Sequence, residues 1–383
     1  MGDKKRRPVR AIAAGTALVI ALTSATVADA ADAEPVPYLP KPTGSYAVGT
    51  TSLYLKDTSR PDPWVPSVPY RELMVTLVYP AAPGGGPRAR YLTPEESTAL
   101  LEPEGLEGIS PDVLSTTRTN AVQDARPVGR PHGLPLVVLS PGYTKPRATL
   151  SALAEDLASH GYGVAVVGHT YENSGTSFPD GHFTGCASCE VPHDEAFWAK
   201  LARGRAADVS FVLDELTGPH PAWRGAGLID RTRIAMGGHS VGGGSATTAL
   251  ATDSRIRAGF DIDGGTDVPL TEELPRPFLF LGKYPPGATY PRCSDPSWEP
   301  DWQWLTGWKR WLQVEGAQHA SFTDIGLFSD QFGLDFGADV SSARVQAITR
   351  AYVGAFLDQS LRGIPRPLLE QPSADYPEVV FCR

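Results

Sequence analysis

The chain has 383 residues, with 34 basic and 43 acidic side chains and a formal net charge of −9. Residues 1–30 carry five of the basic and only two of the acidic residues, so their removal changes the net charge to −12. An acidic balance of this size argues against nucleic acid and anionic membrane surfaces as partners. The remaining length of about 350 residues suits one large α/β domain as well as two small ones.

The N-terminus has the three parts of a secretory signal peptide. A basic cluster precedes an uncharged run of small and apolar residues at 11–28, and the sequence Ala-Asp-Ala at 28–30 resembles a cleavage site. The apolar run is shorter than the roughly twenty residues that a membrane anchor needs. We therefore predict a secreted protein whose mature chain starts near Ala31 and has no transmembrane segment.

Four cysteines in an exported chain favour two disulfide bonds. Cys186 and Cys189 have a Cys-x-x-Cys spacing that a zinc site or a redox pair would also show, but Cys293 and Cys382 stand singly. Among the possible connectivities we favour Cys186 with Cys189 and Cys293 with Cys382. We expect neither a metal nor a cofactor.

The Pro-rich residues 31–44 are expected to form an extended arm, and residues 45–383 a single catalytic domain. Apolar alternation predicts two strands, at 46–55 and 70–79, which would form the antiparallel edge of a sheet. A Thr-Pro-Glu-Glu sequence at 93–96 then predicts a capped helix that ends at Leu101.

Further along the chain, strands and helices alternate, which is the pattern of a parallel sheet covered by helices. The predicted strands are 134–139, 162–167, the apolar run that ends before Ser240, 256–263, 277–282 and 308–314. The predicted helices are 150–160, 195–216, 245–253 and 342–361. These elements predict one doubly wound α/β domain with Ser240 at the end of a central strand, where open sheets place their sites.

The sequence Gly238-His239-Ser240-Val241-Gly242 joins an apolar strand to a helix-compatible segment. A Gly-x-Ser-x-Gly turn holds its serine at a sharp bend, with the hydroxyl projecting above the sheet. In a chain this rich in glycine, about one serine in a hundred has such neighbours by chance. The motif therefore needs partners elsewhere in the chain before it indicates a nucleophile.

A nucleophilic serine needs a general base, which on this kind of fold follows the acid in chain order. Only one of the eight histidines, His319, follows the elbow, in a loop just past the strand predicted at 308–314. We predict His319 as the base. Most other histidines are expected on the surface or in loops, while His239 is fixed in the elbow and His169, at a strand end, could line the pocket.

The acid has several candidates. Many hydrolases of this fold place it after the strand at 277–282, but there no carboxylate appears until Asp295. Asp261 and Asp263 end the strand before, and Asp263 directly precedes a Gly-Gly turn at the rim. We predict Asp263 and keep Asp261, one pleat deeper, as the alternative. Asp267 and Asp295 rank below both.

Backbone amides are needed to stabilise the oxyanion of a tetrahedral intermediate. One is predicted to be the amide of Val241, directly after the nucleophile. The other should come from the loop after the strand at 134–139, where Pro141 has no amide hydrogen and Gly142 permits close approach. We predict the Tyr143 amide, with an ordinary Pro-Gly turn as the alternative.

Several segments together resemble the plasma-type platelet-activating factor acetylhydrolase family, including its bacterial lipase-like members. These segments are 136–142, 156–162, 238–243, 262–264 and 316–319. The resemblance covers residues 45–360 and implies an α/β-hydrolase fold, with the acid on the strand that follows the nucleophile helix, as at Asp263. Where the family has His-Gly in the oxyanion loop, this chain has Pro141-Gly142, so only the backbone role carries over.

Two segments lie outside the shared pattern. The stretch 298–311 contains five tryptophans, which are interpreted as core residues or, alternatively, as the wall of an acyl pocket. The loop 173–193, which carries the paired cysteines, is a lid or an ordinary surface insertion.

The sequence thus predicts a secreted, monomeric serine esterase. Ser240 would attack an ester carbonyl, His319 would transfer the proton, and Asp263 would orient the imidazole. By resemblance, the substrate would be a short-acyl lipid or a similar small-molecule ester. A cutinase-like polyester hydrolase and a catalytically silent binding protein of the same fold are the alternatives, although the complete set of three residues argues against the silent protein.

Overall fold

A ten-stranded mixed sheet dominates the computed structural model, which describes residues 36–383. Its strands are β1 (Ala47–Asp57), β2 (Arg71–Ala81), β3 (Val122–Gln123), β4 (Leu134–Ser140), β5 (Gly163–His169), β8 (Ile229–His239), β9 (Ile256–Ile262), β10 (Phe278–Tyr284), β11 (Lys309–Glu315) and β12 (Val379–Phe381). Two short strands, β6 (Thr176–Ser177) and β7 (Phe183–Thr184), form a separate two-stranded sheet. The helices are α1 (Pro94–Leu101), α2 (Ser151–Ser159), α3 (Glu195–Thr217), α4 (Val241–Thr252), α5 (Trp298–Trp302), α6 (Asp324–Gln331) and α7 (Ser342–Arg362).

The strand order runs from β12 through β11, β10, β9, β8, β4, β5 and β2 to β1 and β3. The strands from β5 to β11 in this order are parallel, β2 is antiparallel to both β1 and β5, and β12 is antiparallel to β11. The predicted doubly wound sheet with antiparallel N-terminal strands is therefore confirmed. β8 lies near the middle, so the turn after it opens at the carboxyl edge of the central parallel strands.

Successive residues of the buried strands face opposite sides of the sheet, and each side has its own core. On β5, Val166 belongs to the cluster that packs against α2 and α7, and Val167 to the cluster that packs against α3 and α4. Both side chains are 2% exposed or less. Because apolar residues cover both faces, these strands appear in the sequence as continuous apolar runs rather than alternating ones.

The predicted helix at 94–101 begins with the expected capping box, in which the side chains of Thr93 and Glu96 each accept from the other residue's backbone amide. Helix α6 and strand β12 were not predicted. In the tryptophan-rich stretch, Trp298 and Trp311 are 1% and 0% exposed and pack edge to face in the core. These two residues therefore do not line an open acyl pocket.

The segment 36–44 lies against the body of the domain. Leu39 is buried at 3% exposure, and the amide and hydroxyl of Thr43 donate to Asp156 at 2.7 and 2.9 Å. The predicted signal peptide lies outside the described residues. Between residues 36 and 383, no helix has the length and apolarity to cross a membrane.

Candidate active site

Ser240 occupies a strained turn between β8 and α4. Its φ of 57° and ψ of −135° lie in a region that residues with a side chain rarely adopt. The turn is held by hydrogen bonds from the Ser240 amide to the carbonyl of Ile262, at 2.9 Å, and from the Gly243 amide to the carbonyl of Ser240, at 2.8 Å. Strain of this kind at a strand-to-helix turn is what a nucleophile elbow requires.

The two glycines that flank Ser240 are needed because the chain before the oxyanion loop crosses directly beside them. A Cβ atom on Gly238 would lie 2.0 Å from the carbonyl oxygen of Ser140, and one on Gly242 would lie 2.1 Å from it. Either distance is far inside van der Waals contact. The motif therefore marks a real steric demand rather than a chance spacing.

His319 lies beside the elbow and is bonded to Asp263. The Nδ1 atom of His319 is 2.5 Å from Oδ2 of Asp263, whose side chain is 8% exposed. The ring of His319 is 4.3 Å from the ring of His239, the residue before Ser240. Among the described residues, the Ser240 hydroxyl makes no hydrogen bond to His319, so that contact of a triad is not formed in this conformation.

Lys283 holds the carboxylate of Asp263 from the other side. The Lys283 amide donates to Oδ1 at 2.9 Å and its ammonium to Oδ2 at 2.8 Å. Burial alone would raise the pKa of Asp263, but the hydrogen bond from His319 and the charge of Lys283 lower it below its ordinary value. Asp263 is thus ionised and aimed at Nδ1 of His319, which leaves Nε2 as the nitrogen available for chemistry.

Asp261, the alternative acid, lies beneath the turn with no exposed surface. Its Oδ1 accepts from the Gly264 amide at 2.8 Å, and its Oδ2 accepts from Nε1 of Trp298 at 3.1 Å. Burial raises the pKa of Asp261 well above its usual range. Its side chain supports the loop that presents Asp263 and does not contact His319. Asp295 also has a local role, because it accepts from the amide of Ser297 at 2.9 Å.

The residues predicted to supply the oxyanion donors lie close to Ser240, since Val241 follows it directly and Tyr143 follows Gly142. Gly142 is so close that an added Cβ would be 3.4 Å from Cβ of Ser240. In the described part of the chain, the amides of Tyr143 and Val241 donate to no protein acceptor. Two free amides next to a strained serine can donate hydrogen bonds to an anionic oxygen.

Several esterases and acetylhydrolases are similar to this chain in sequence, and one of them also in its solved structure. The family described as "Platelet-activating factor acetylhydrolase, isoform II" matches residues 87–208. A probable 1-alkyl-2-acetylglycerophosphocholine esterase from Arthroderma benhamiae is 29% identical over 385 residues, which cover 90% of this chain and 93% of that protein. The platelet-activating factor acetylhydrolase of Cavia porcellus is 24% identical over 75% of this chain and 69% of its own length. The solved structure of a ferulic acid esterase from Streptomyces cinnamoneus is 42% identical with a TM-score of 0.81, covering 91% of this chain and all of the other.

The chain is similar to members of the platelet-activating factor acetylhydrolase family. Because its relatives are named as esterases and acetylhydrolases, it is a carboxylic ester hydrolase with the α/β-hydrolase fold. The resemblance inferred from the sequence segments is confirmed. The matched range 87–208 includes the loop that carries Tyr143 and ends before the elbow, so the family signal and the Gly-x-Ser-x-Gly motif are separate observations.

The side chain of Tyr143 lies in an aromatic cluster that we define as Trp64, Tyr143, His193, Phe197 and Trp198. The Tyr143 ring meets the rings of Phe197 and Trp198 edge to face at 5.6 and 5.3 Å. Phe197 also belongs to the apolar cluster of Val241. The aromatic cluster therefore packs beside the elbow, against the two residues whose amides are predicted to donate to the oxyanion.

Both disulfide bonds have the pairing favoured by the sequence, Cys186 with Cys189 and Cys293 with Cys382. The first lies in the 173–193 loop and touches the aromatic cluster, since the Tyr143 hydroxyl is 3.5 Å from Sγ of Cys189. The loop also contains the β6–β7 hairpin. It is thus an ordered structure packed beside the site.

Two residues that contact the predicted site residues, Lys283 and His239, are not identified as site residues by the sequence pattern. Lys283 lies near the end of β10, where the sequence offers no carboxylate and therefore no candidate acid. His239 was assigned to the elbow, but its Nε2 also lies 2.9 Å from the carbonyl oxygen of His319 and so holds the base's own loop. Burial and the neighbouring His319 lower the pKa of His239 to about 3, so its ring is neutral at physiological pH.

Proposed function

We propose that this esterase is an exported serine hydrolase in which Ser240 is the nucleophile, His319 the general base and Asp263 the acid that orients it. The observation that carries the proposal is the Asp263–His319 hydrogen bond beside a strained Gly-x-Ser-x-Gly elbow. Each residue type has the property its role needs: a serine at a bend, an imidazole with one free nitrogen, and an ionised buried carboxylate.

In the proposed mechanism, Ser240 Oγ attacks the ester carbonyl and His319 Nε2 takes its proton. The ionised Asp263 stabilises the imidazolium that forms, and the amides of Val241 and Tyr143 hold the oxyanion. The imidazolium then protonates the leaving alcohol as the tetrahedral intermediate collapses to an acyl-enzyme. Water, deprotonated by the same imidazole, releases the acid and restores Ser240.

The proposed substrates are esters with a short acyl group, above all acetyl esters of lipids. The names of the relatives from Arthroderma benhamiae and Cavia porcellus support this class, because the first is a probable esterase of a 1-alkyl-2-acetylglycerophosphocholine and the second is an acetylhydrolase. The acidic balance of the chain fits a neutral or zwitterionic substrate better than an anionic one.

A second candidate substrate class is hydroxycinnamate esters. The solved structure with 42% identity is that of a ferulic acid esterase. In this chain, the aromatic cluster packs beside the elbow, and aromatic side chains pack favourably against a planar aromatic acyl group.

Turnover of a substrate panel would separate these classes. We expect kcat/KM to fall from p-nitrophenyl acetate through butyrate and octanoate to palmitate if the acyl site is short. A kcat/KM for methyl ferulate that exceeds the value for methyl acetate would favour the hydroxycinnamate class. Hydrolysis of a polyester film that is faster than hydrolysis of either methyl ferulate or methyl acetate would favour the cutinase-like alternative.

We also propose that residues 1–30 are removed on export and that the mature enzyme is one catalytic domain, 45–383, with residues 31–44 as an N-terminal arm. The two disulfide bonds support an oxidising compartment. Intact-mass measurement of protein recovered from the culture medium should give a chain that starts near Ala31. A full-length mass in the cell fraction alone would contradict export.

A further inference from the structure

A buried network of charged side chains lies directly beneath the oxyanion loop. Its members are Asp62, Arg71, Glu172, Arg205 and Asp208, and every side chain is at most 1% exposed. Removing several charges from water is costly, and packed apolar residues of similar size would often stabilise a fold as well or better. Ser240, His319 and Asp263 are not members of this network.

Arg205, on α3, contacts the start of the oxyanion loop. Its Nη1 donates to the carbonyl oxygen of Pro141 at 2.5 Å and to Oγ of Ser140 at 3.2 Å. Its Nε donates to Oε2 of Glu172 at 2.8 Å. One planar guanidinium therefore joins the loop to a carboxylate that lies on a different segment, the turn after β5.

Glu172 completes the connection at the other end of the loop. Its backbone carbonyl accepts from the Thr144 amide at 2.9 Å, and the Thr144 carbonyl accepts from the Ser174 amide at the same distance. Tyr143 thus lies between two attachments, one at Pro141 and one at Thr144. Both attachments lead to the Arg205–Glu172 ion pair. We call this ion pair, with its hydrogen bonds to Pro141 and Thr144 on either side of the predicted oxyanion donor, the clamp.

The remaining members hold that ion pair in place. Arg71 donates to Oδ2 of Asp208 at 2.8 Å and to Oε1 of Glu172 at 3.3 Å. His169 also takes part, with Nδ1 at 2.7 Å from Asp208 and Nε2 at 2.9 Å from Oγ of Ser140. Burial and the charge of Arg205 lower the pKa of His169, so a neutral ring donates to Asp208 and accepts from the Ser140 hydroxyl.

We infer that Arg205 and Glu172 are positioning residues for the oxyanion hole, which fix the Tyr143 amide through the two ends of its loop. The inference rests on the proposed function, since it assumes that this amide binds the oxyanion. Neither residue touches substrate. An oxyanion donor must be held within about 0.5 Å of its productive place, and the hydrogen bonds at Pro141 and Thr144 fix the backbone on both sides of the Tyr143 amide.

Three variants of the secreted enzyme would test the clamp. Arg205→Lys keeps the charge but loses the planar fork that reaches Pro141 and Glu172 together. Glu172→Gln keeps the shape and the backbone contact to Thr144 but removes the ion pair. Val212→Ala, on the same helix with a side chain packed in the core away from the loop, is the control for lost packing.

We expect Arg205→Lys to lower kcat for p-nitrophenyl acetate by about tenfold to a hundredfold while KM stays within about twofold, as for a misplaced transition-state contact. Affinity for a trifluoromethyl ketone, which forms an oxyanion on the nucleophile, should fall by the same factor as kcat. Glu172→Gln should show the same pattern more weakly, and it carries the test if Arg205→Lys does not fold. Val212→Ala should lower thermal stability and leave kcat and ketone affinity within about twofold.

The inference would be overturned if both clamp variants, correctly folded, kept wild-type kcat and ketone affinity. It would also be overturned if the clamp variants and Val212→Ala, compared at an equal loss of thermal stability, showed equal losses of kcat and of ketone affinity. An active Ser240→Ala variant would instead contradict the proposed function, so the two failures are distinguishable.

Discussion

Two aspartates at the end of one strand have opposite environments although only one residue separates them. Asp263 adopts a left-handed φ of 53°, reaches His319 and is kept ionised by its partners. Asp261 points beneath the turn, where burial raises its pKa and the indole of Trp298 donates to it. An aspartate side chain is therefore suited to orient an imidazole at position 263 and to support a loop at position 261.

This difference predicts unequal effects of the same substitution. Asp263→Asn should lower kcat by about 10³- to 10⁴-fold, because the amide favours the wrong imidazole tautomer and cannot stabilise the imidazolium. Asp261→Asn is the matched control and should keep activity within about tenfold, since a buried carboxyl with a raised pKa is replaced by a neutral group of the same shape. Steady-state kinetics on p-nitrophenyl acetate would measure both. A larger loss at Asp261 would assign the acid to that residue.

At the residue scale, the sequence predicts those candidate site residues that are recognisable by their neighbours or by their order along the chain. Ser240 has its glycines as neighbours, and His319 is the only histidine that follows it. Lys283 and Arg205 could not be found this way. Their partners, Asp263 and Glu172, are 20 and 33 residues distant along the chain, and neither pair belongs to a local motif.

Among the elements, strand β8, the elbow and helix α4 are the unit that the sequence predicts best, because a buried apolar run and a glycine-rich turn both appear locally. Strand β12 has only three residues and α6 contains a glycine at position 326, so neither has a hydrophobic period long enough to recognise. Trp298 shows the same limit, because the two groups that accept from its indole nitrogen, on Asp261 and Gly264, are more than thirty residues away.

The two disulfide bonds tie down elements in different ways. Cys293–Cys382 spans 89 residues and fastens the segment after β12 to the loop that follows β10. Cys186–Cys189 spans only three residues and fastens a turn against Tyr143. Their contributions to the free energy of unfolding should therefore differ, because the entropy that a cross-link removes from the unfolded chain grows with the loop it closes.

We predict that replacing Cys293 and Cys382 together by serine lowers the free energy of unfolding by about 3–5 kcal/mol, whereas replacing Cys186 and Cys189 together lowers it by about 2 kcal/mol or less. Urea unfolding of the two double variants, with equal slopes, would measure the difference. Equal losses would show that loop length does not govern the contribution of these bonds. The kcat of the Cys186/Cys189 variant would separately report how far that turn supports the loop of Tyr143.

In the whole molecule, a buried carboxyl joins three helices on one face of the sheet. Asp324, at the start of α6, accepts from the Ala152 amide of α2 and from Gln346 of α7, each at 3.3 Å. Burial raises the pKa of Asp324 to about 7, although hydrogen bonds and the charge of Arg350 act in the opposite direction. The folded protein thus keeps a proton on this group under conditions in which the unfolded chain would release it.

Because the folded-state pKa is the higher one, Asp324 contributes stability that is fully present below about pH 4 and is lost as the pH rises to about 7. Asp324→Asn removes this dependence. The free energy of unfolding of Asp324→Asn, measured relative to wild type, should therefore rise between pH 4 and pH 8, by about 1.4 kcal/mol for each unit of pKa difference. Denaturant unfolding at several pH values would measure it, and a constant or falling difference would contradict the burial of a protonated carboxyl.

The account as a whole depends on Ser240 as the nucleophile. The most direct measurement combines turnover of p-nitrophenyl acetate with mass spectrometry of the protein after reaction with a fluorophosphonate. We predict that the wild-type enzyme loses all activity when one phosphonyl group is attached to Ser240, and that Ser240→Ala is unlabelled and at least about 10⁴-fold slower. Labelling at a different residue, or turnover by Ser240→Ala close to that of wild type, would contradict the account.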